Sequence, residues 1–261
     1  MKKKLIGFVI ITLISISCQK EKLDVLGNIQ GMGNAPGNLE VKAPFTFPQG
    51  ITLIGDISGL NNPGLKSGGS KSESYSTHGS GGKMIKLKLT LLNSSDKPKT
   101  IFFPKGLLWE CNISGYQNAI LLQTTWISLK ANSKREIIMD LYCVNFGLKP
   151  SDGISTFKIL GVSKSTIIGK LLTAIGWKKI NFEMIYGTYA TGKGTAEPTY
   201  EQITERLQNI VWNLTDHSID ITPEDQAFIE NIPELAPAEI PALDENSQFP
   251  EYFDEFVAPG K

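Results

Sequence analysis

Apolar and polar positions alternate along the middle of the chain. From Met84 to Leu92, Ile85, Leu87, Leu89 and Leu91 are separated mainly by polar residues. This period of two sets one face of a strand on a core and the other toward water. Asn93–Pro98 is a turn cluster, strand resumes over Thr100–Phe103, Pro104-Lys105-Gly106 breaks it, and Leu107–Cys111 follows. Ala119–Leu129 and Arg135–Phe146 read as two further strands on either side of the turn Ala131–Lys134. Short strands with regular punctuation predict a mainly β fold: an antiparallel β-sandwich, immunoglobulin-like or similar, followed by two or three short α-helices.

After Gly161 the period changes. Ile167, Ile168, Leu171, Leu172 and Ile175 recur at helical spacing, with Gly176 placed to end the helix. Lys179–Tyr186 reads as one more strand. Thr199 and Gln202 have the spacing of a capping box at the head of a second helix. Its buried stripe is Ile203, Leu207, Ile210, Val211 and Leu214. Thr222-Pro223 opens a third, with proline at the first helical position. The predicted organisation is a leader over 1–17, a Gly/Ser/Pro-rich tether over 18–82 with an apolar island at 45–57, a sandwich core over 83–160, a helical extension over 161–232, and a flexible acidic tail over 233–261.

The leader has a recognisable form. Lys2, Lys3 and Lys4 precede an apolar stretch from Leu5 to Ile14, about half the roughly 20 residues that a membrane-spanning helix needs. Small residues then lead into a cysteine, in Ser15-Ile16-Ser17-Cys18. This resembles the signal peptide and lipobox of bacterial lipoproteins, except that Ser15 stands where that family usually has leucine. The resemblance implies cleavage before Cys18, lipid on its thiol, and a membrane partner through that anchor. The implied location is the bacterial cell envelope, at the outer membrane.

Charge is balanced overall but unevenly spread: twelve acidic residues and a single lysine follow Thr215. The body is correspondingly basic, yet its lysines are scattered and form no stripe, so nucleic acid is not an expected partner. Acylation of Cys18 would leave Cys111 and Cys143, and an even pair in an exported chain makes a disulfide between them the default expectation.

Conventional catalysis finds little support. There are two histidines: His78, in a Gly/Ser-rich stretch, and His217, at a helix end. Neither position supplies the held imidazole of a Ser-His-Asp arrangement. Asp216-His217-Ser218-Ile219-Asp220 offers only a fragment of a metal site, so no metal or cofactor is expected. Gly187-Thr188-Tyr189-Ala190-Thr191-Gly192-Lys193 has the outline of a phosphate-binding loop, but Gly194 stands where Ser or Thr must hold magnesium.

One constellation carries chemistry. Tyr142-Cys143-Val144-Asn145, taken with Leu207-Gln208-Asn209-Ile210-Val211-Trp212, resembles the paired motifs of thioester domains in bacterial surface adhesins. There a cysteine is joined to the glutamine of a Gln-x-Ala-apolar-Trp helix; here Ile210 replaces the small alanine. The resemblance implies an internal Cys143–Gln208 thioester that a partner amine can open. At 100° per residue Gln208 and Trp212 share a helix face off the main apolar stripe, and a tryptophan there implies that this face too is covered. Three functions follow. The first is a noncatalytic binding or structural lipoprotein with an extracellular protein or glycan ligand. The second is covalent adhesion through Cys143 and Gln208, and the third, disfavoured by the histidines, is an envelope hydrolase.

Overall fold

The computed structural model describes residues 24–61, 76–81, 84–185 and 198–240. The leader, Cys18, Lys83, the Gly187–Lys193 loop and the chain from 241 lie outside the described residues.

The alternation that predicts strands appears as burial. Strand β5 (Ile85–Asn93) is buried at every odd position and only partly at the even ones. Preceding it are β1 (Val41–Pro44), β2 (Ile51–Leu53), β3 (Ile57–Gly59) and β4 (Ser76–Gly79). Following it are β6 (Lys99–Phe103), β7 (Leu107–Cys111), β8 (Ala119–Ile120), β9 (Thr125–Leu129), β10 (Ser133–Cys143) and β11 (Thr156–Ser163).

These strands form a barrel, and the predicted sandwich is overturned. The circuit β3–β5–β10–β8–β7–β11 returns to β3 through antiparallel pairings at every step, a closed six-stranded barrel. Closure depends on two very short strands. β3 joins β5 to β11 at Gly59↔Leu87 and Phe157↔Ile57, and β8 joins β7 to β10 at Trp109↔Ala119 and Cys143↔Ala119. Closing the sheet pairs edges that an open sandwich leaves bare. β1, β2 and β4 add to its rim, β4 in parallel with β10, and β6 with β9 forms a separate two-stranded sheet. The sheet therefore begins well before residue 83. His78, expected in a linker, is a buried residue of β4.

Two apolar clusters organise the molecule. One fills the barrel with Leu87, Leu89, Leu107, Trp109, Met139 and Leu141, joined by Phe103 and Ile127 of the small sheet. The other lies between the outer face of the barrel and the helices, around Leu108, Ile120, Tyr142 and Val144. Consequently β10 alternates at its start but is wholly buried from Met139 to Cys143, with the barrel on one side and helices on the other.

Helix α1 (Thr166–Ile175) starts where Ser165 accepts from the Ile168 N–H and stops at Gly176, whose φ of +53° admits glycine readily. α2 (Phe182–Ile185) is a single helical turn where a strand is predicted. Asn181 and Glu183 spend their side chains on Thr124 and Thr125, so the segment docks on β9 instead of extending a sheet. α3 (Tyr200–Trp212) carries the Thr199–Gln202 capping box, and α4 (Pro223–Glu230) opens with a second, Thr222–Asp225. Between them α3 widens into a π-helical turn over Asn213–His217. The segment 24–40 runs across these helices, burying Ile29, Met32 and Leu39.

Candidate functional site

The last residues of β10 pass beyond the beginning of β5. Their ladder ends at Leu141↔Ile85, while the other edge of β10 continues with β8, and Val144 N–H donates to the Asn118 carbonyl on that side. Backbone groups alternate sides along a strand, so the N–H and C=O of Cys143 face the vacated β5 side. Buried and unpaired, they would each forfeit a hydrogen bond.

Gln208 fills this vacancy. Its Oε1 accepts from Cys143 N–H at 2.9 Å and its Nε2 donates to Cys143 O at 2.8 Å, so one carboxamide takes the place of a missing strand residue. The spacing that sets Gln208 off the main stripe of α3 thus delivers it to the barrel rim, buried. One turn on, Trp212 Nε1 donates to Cys143 Sγ at 3.4 Å. The sulfur also accepts from Asn145 N–H at 3.3 Å, and the thiol faces Asn145 O at the same distance.

Asn145 anchors the surroundings. Its Oδ1 accepts from Asn118 N–H at 2.9 Å, and its Nδ2 donates to Gly33 O at 3.0 Å. Gly33 in turn donates to Val144 O, and a Cβ on it would stand 2.2 Å from Thr215 O, so only glycine lets the N-terminal segment thread between β10 and the π-helical turn. Above the sulfur, Phe146 packs edge-on against Trp212 and His217, and its N–H donates to Asp216. Phe146 is half exposed, so this aromatic cover meets solvent. A surface cleft of about 260 Å³ is lined by Met84, Thr204, Glu205, Gln208 and Trp212.

Burial pushes the Cys143 thiol up to about 12; the Asp216 charge adds to the rise, and the Trp212 and Asn145 N–H groups oppose it. The resting group is therefore a protonated thiol.

The sequence singles out four cysteine and glutamine positions, and the structure sorts them. Cys143 and Gln208 are brought together. Cys111 is not brought to Cys143: both are free thiols. Trp109, Ala119 and Cys143 lie in register across β7, β8 and β10, and Cys111 is two residues farther along β7. Two strand spacings combined with two residues of rise separate the Cα atoms by roughly 12 Å, beyond the ~7 Å that a disulfide spans. The expected Cys111–Cys143 bridge is thereby corrected. Cys18 lies outside the described residues. Sequence reasoning missed Phe146 and the Gly31–Gly33 strap, more than a hundred positions from Asn145, and it read Asp216 only as a fragment of a metal site, whereas its carboxylate accepts from Phe146 N–H. Among the described residues no group of three or more His, Cys, Asp or Glu is placed to hold a metal ion, and no helix is long and apolar enough to cross a membrane.

Comparison with protein-family models, with curated proteins and with solved structures finds no match to this chain.

Proposed function

We propose that this chain is a lipid-anchored protein of the bacterial envelope whose barrel-and-helix domain forms a thioester between Cys143 and Gln208, and attaches through it to an amine on an extracellular partner. The single observation that carries this reading is the seating of the Gln208 carboxamide on Cys143, at the rim of a solvent-open cleft. Two motifs 65 residues apart meet through the Gln208 carboxamide and the backbone of Cys143.

The proposed steps balance as follows. Cys143 Sγ attacks the Gln208 side-chain carbonyl carbon; its proton passes to the amide nitrogen, the C–N bond breaks, and ammonia leaves. Cys143 N–H, already donating to Oε1, stabilises the charge that builds on that oxygen, as the nucleophile's own N–H does in serine proteases. A partner amine then attacks the thioester carbon, an amide forms, and the thiol returns. Nothing turns over, so this is covalent adhesion and not enzymic catalysis.

Intact mass tests the proposal. The domain should be about 17 Da lighter than its sequence, the mass of lost ammonia, and the deficit should vanish in Cys143→Ala and Gln208→Ala. Methylamine should add to the wild type alone. A full sequence mass that methylamine leaves unchanged would overturn it.

One observation favours a second reading, a noncatalytic binding lipoprotein. Both polar atoms of the Gln208 carboxamide are already occupied by the Cys143 backbone, which suffices as a structural cap for the rim. That reading requires the full sequence mass.

A further inference from the structure

In a thioester the Cys143 sulfur has no proton to give, and it must leave bearing negative charge when an amine displaces it. Two N–H groups converge on that sulfur: the Trp212 indole at 3.4 Å and the Asn145 backbone amide at 3.3 Å. Neither touches the carbonyl oxygen, which Cys143 N–H serves. The arrangement separates two tasks, one donor for the oxygen and two for the sulfur. The π-helical turn starts at Asn213, directly after Trp212, and such widenings cluster at functional sites. Asn145 is fixed independently by Asn118 and Gly33.

Resting on the thioester reading, we infer that Trp212 is a catalytic residue of the capture step: its indole N–H, with the Asn145 amide, stabilises the thiolate expelled from Cys143. The amine nitrogen bonds to the Gln208 carbonyl carbon and the C–S bond breaks. The electron pair goes to Sγ, and the proton shed by the nitrogen ends on that sulfur. Preorganised donors of this kind cost nothing to reorient as charge develops. Sulfur is a weak acceptor when neutral and a far better one when charged, so the contact strengthens along the reaction.

Trp212→Phe tests this, because the phenyl ring keeps the packing against Phe146 and lacks the N–H. The full chain carrying this change should still lose the mass of ammonia but capture methylamine roughly 10- to 100-fold more slowly. The slowing should be greater for glycinamide, a less basic amine, because departure of sulfur then limits the rate; mere loosening of the site would slow both amines by one factor. Uniform 5-fluorotryptophan, which keeps the shape and sharpens the donor, should accelerate capture, and it decides the matter if Trp212→Phe fails to fold. A variant that carries the thioester yet captures both amines at the wild-type rate overturns the role of Trp212 alone. A wild type that lacks the mass deficit overturns the thioester and this inference together.

Discussion

Gln208 stands in for a strand: its carboxamide pairs with both backbone groups of Cys143 where β5 has ended, tying α3 to the barrel rim. The contact is a structural cap for the rim, and the proposed thioester would join the same two residues; the two roles separate experimentally.

Gln208→Ala leaves the buried N–H and C=O of Cys143 without partners. Removing one side of buried hydrogen bonds costs about 1–3 kcal/mol for each orphaned group, so a loss of about 2–6 kcal/mol for the two is expected in urea unfolding. Gln208→Glu keeps an acceptor but loses a donor, and should fall between the two. A Gln208→Ala change within experimental error of zero would refute the capping geometry.

Cys111 ends β7 and has no bond to Cys143. Cys111→Ala should therefore cost under about 1 kcal/mol, the range of partly exposed positions, and reductant should leave Tm unchanged. Removal of a bridge closing this loop would cost about 3–4 kcal/mol instead. A reductant-sensitive melting curve would restore the disulfide.

Glu183 and His78 oppose each other in pH. Enclosure pushes the Glu183 carboxyl up to about 7, although Thr125, Gly79 and Asn181 all donate to it. Burial pulls His78 down to about 4, helped by the Arg135 charge. Between pH 4.5 and 7 the folded chain holds a proton on Glu183 that the unfolded chain has shed, so this group withdraws stability as pH rises. Between pH 4 and 6.5 the folded chain lacks a proton that unfolded His78 binds, so this group adds stability as pH rises. In Glu183→Gln only the second slope remains. Relative to wild type, the variant should gain roughly 2–3 kcal/mol between pH 4.5 and 7, read from denaturant midpoints. An unchanged difference across that window would show that Glu183 titrates normally.

The address is tested separately. Cys18→Ala should release the chain from membranes or leave an uncleaved precursor on fractionation. Membrane association and processing identical to wild type would dispose of the lipid anchor.

Much of the local structure was legible in one dimension. The alternation of Ile85, Leu87, Leu89 and Leu91, the helix starts at Thr199 and Thr222, and the stop at Gly176 act over a few residues, where backbone sterics and nearest-neighbour hydrogen bonds decide the outcome. Gln208 and Trp212 were legible as a covered second face of α3, because helical geometry alone sets their direction. The closure of the barrel was not. It depends on β3 and β8, three and two residues long, whose pairings across the sheet carry no periodic signal. Nor could the sequence choose between the partners of Cys143. Which thiol or amide reaches it is set by strand order, with β8 standing between β7 and β10 and β5 stopping short of the rim. Local propensities specified β5 and the longer helices, and only the way the sheet closes on itself determined that Cys143 meets Gln208 and not Cys111.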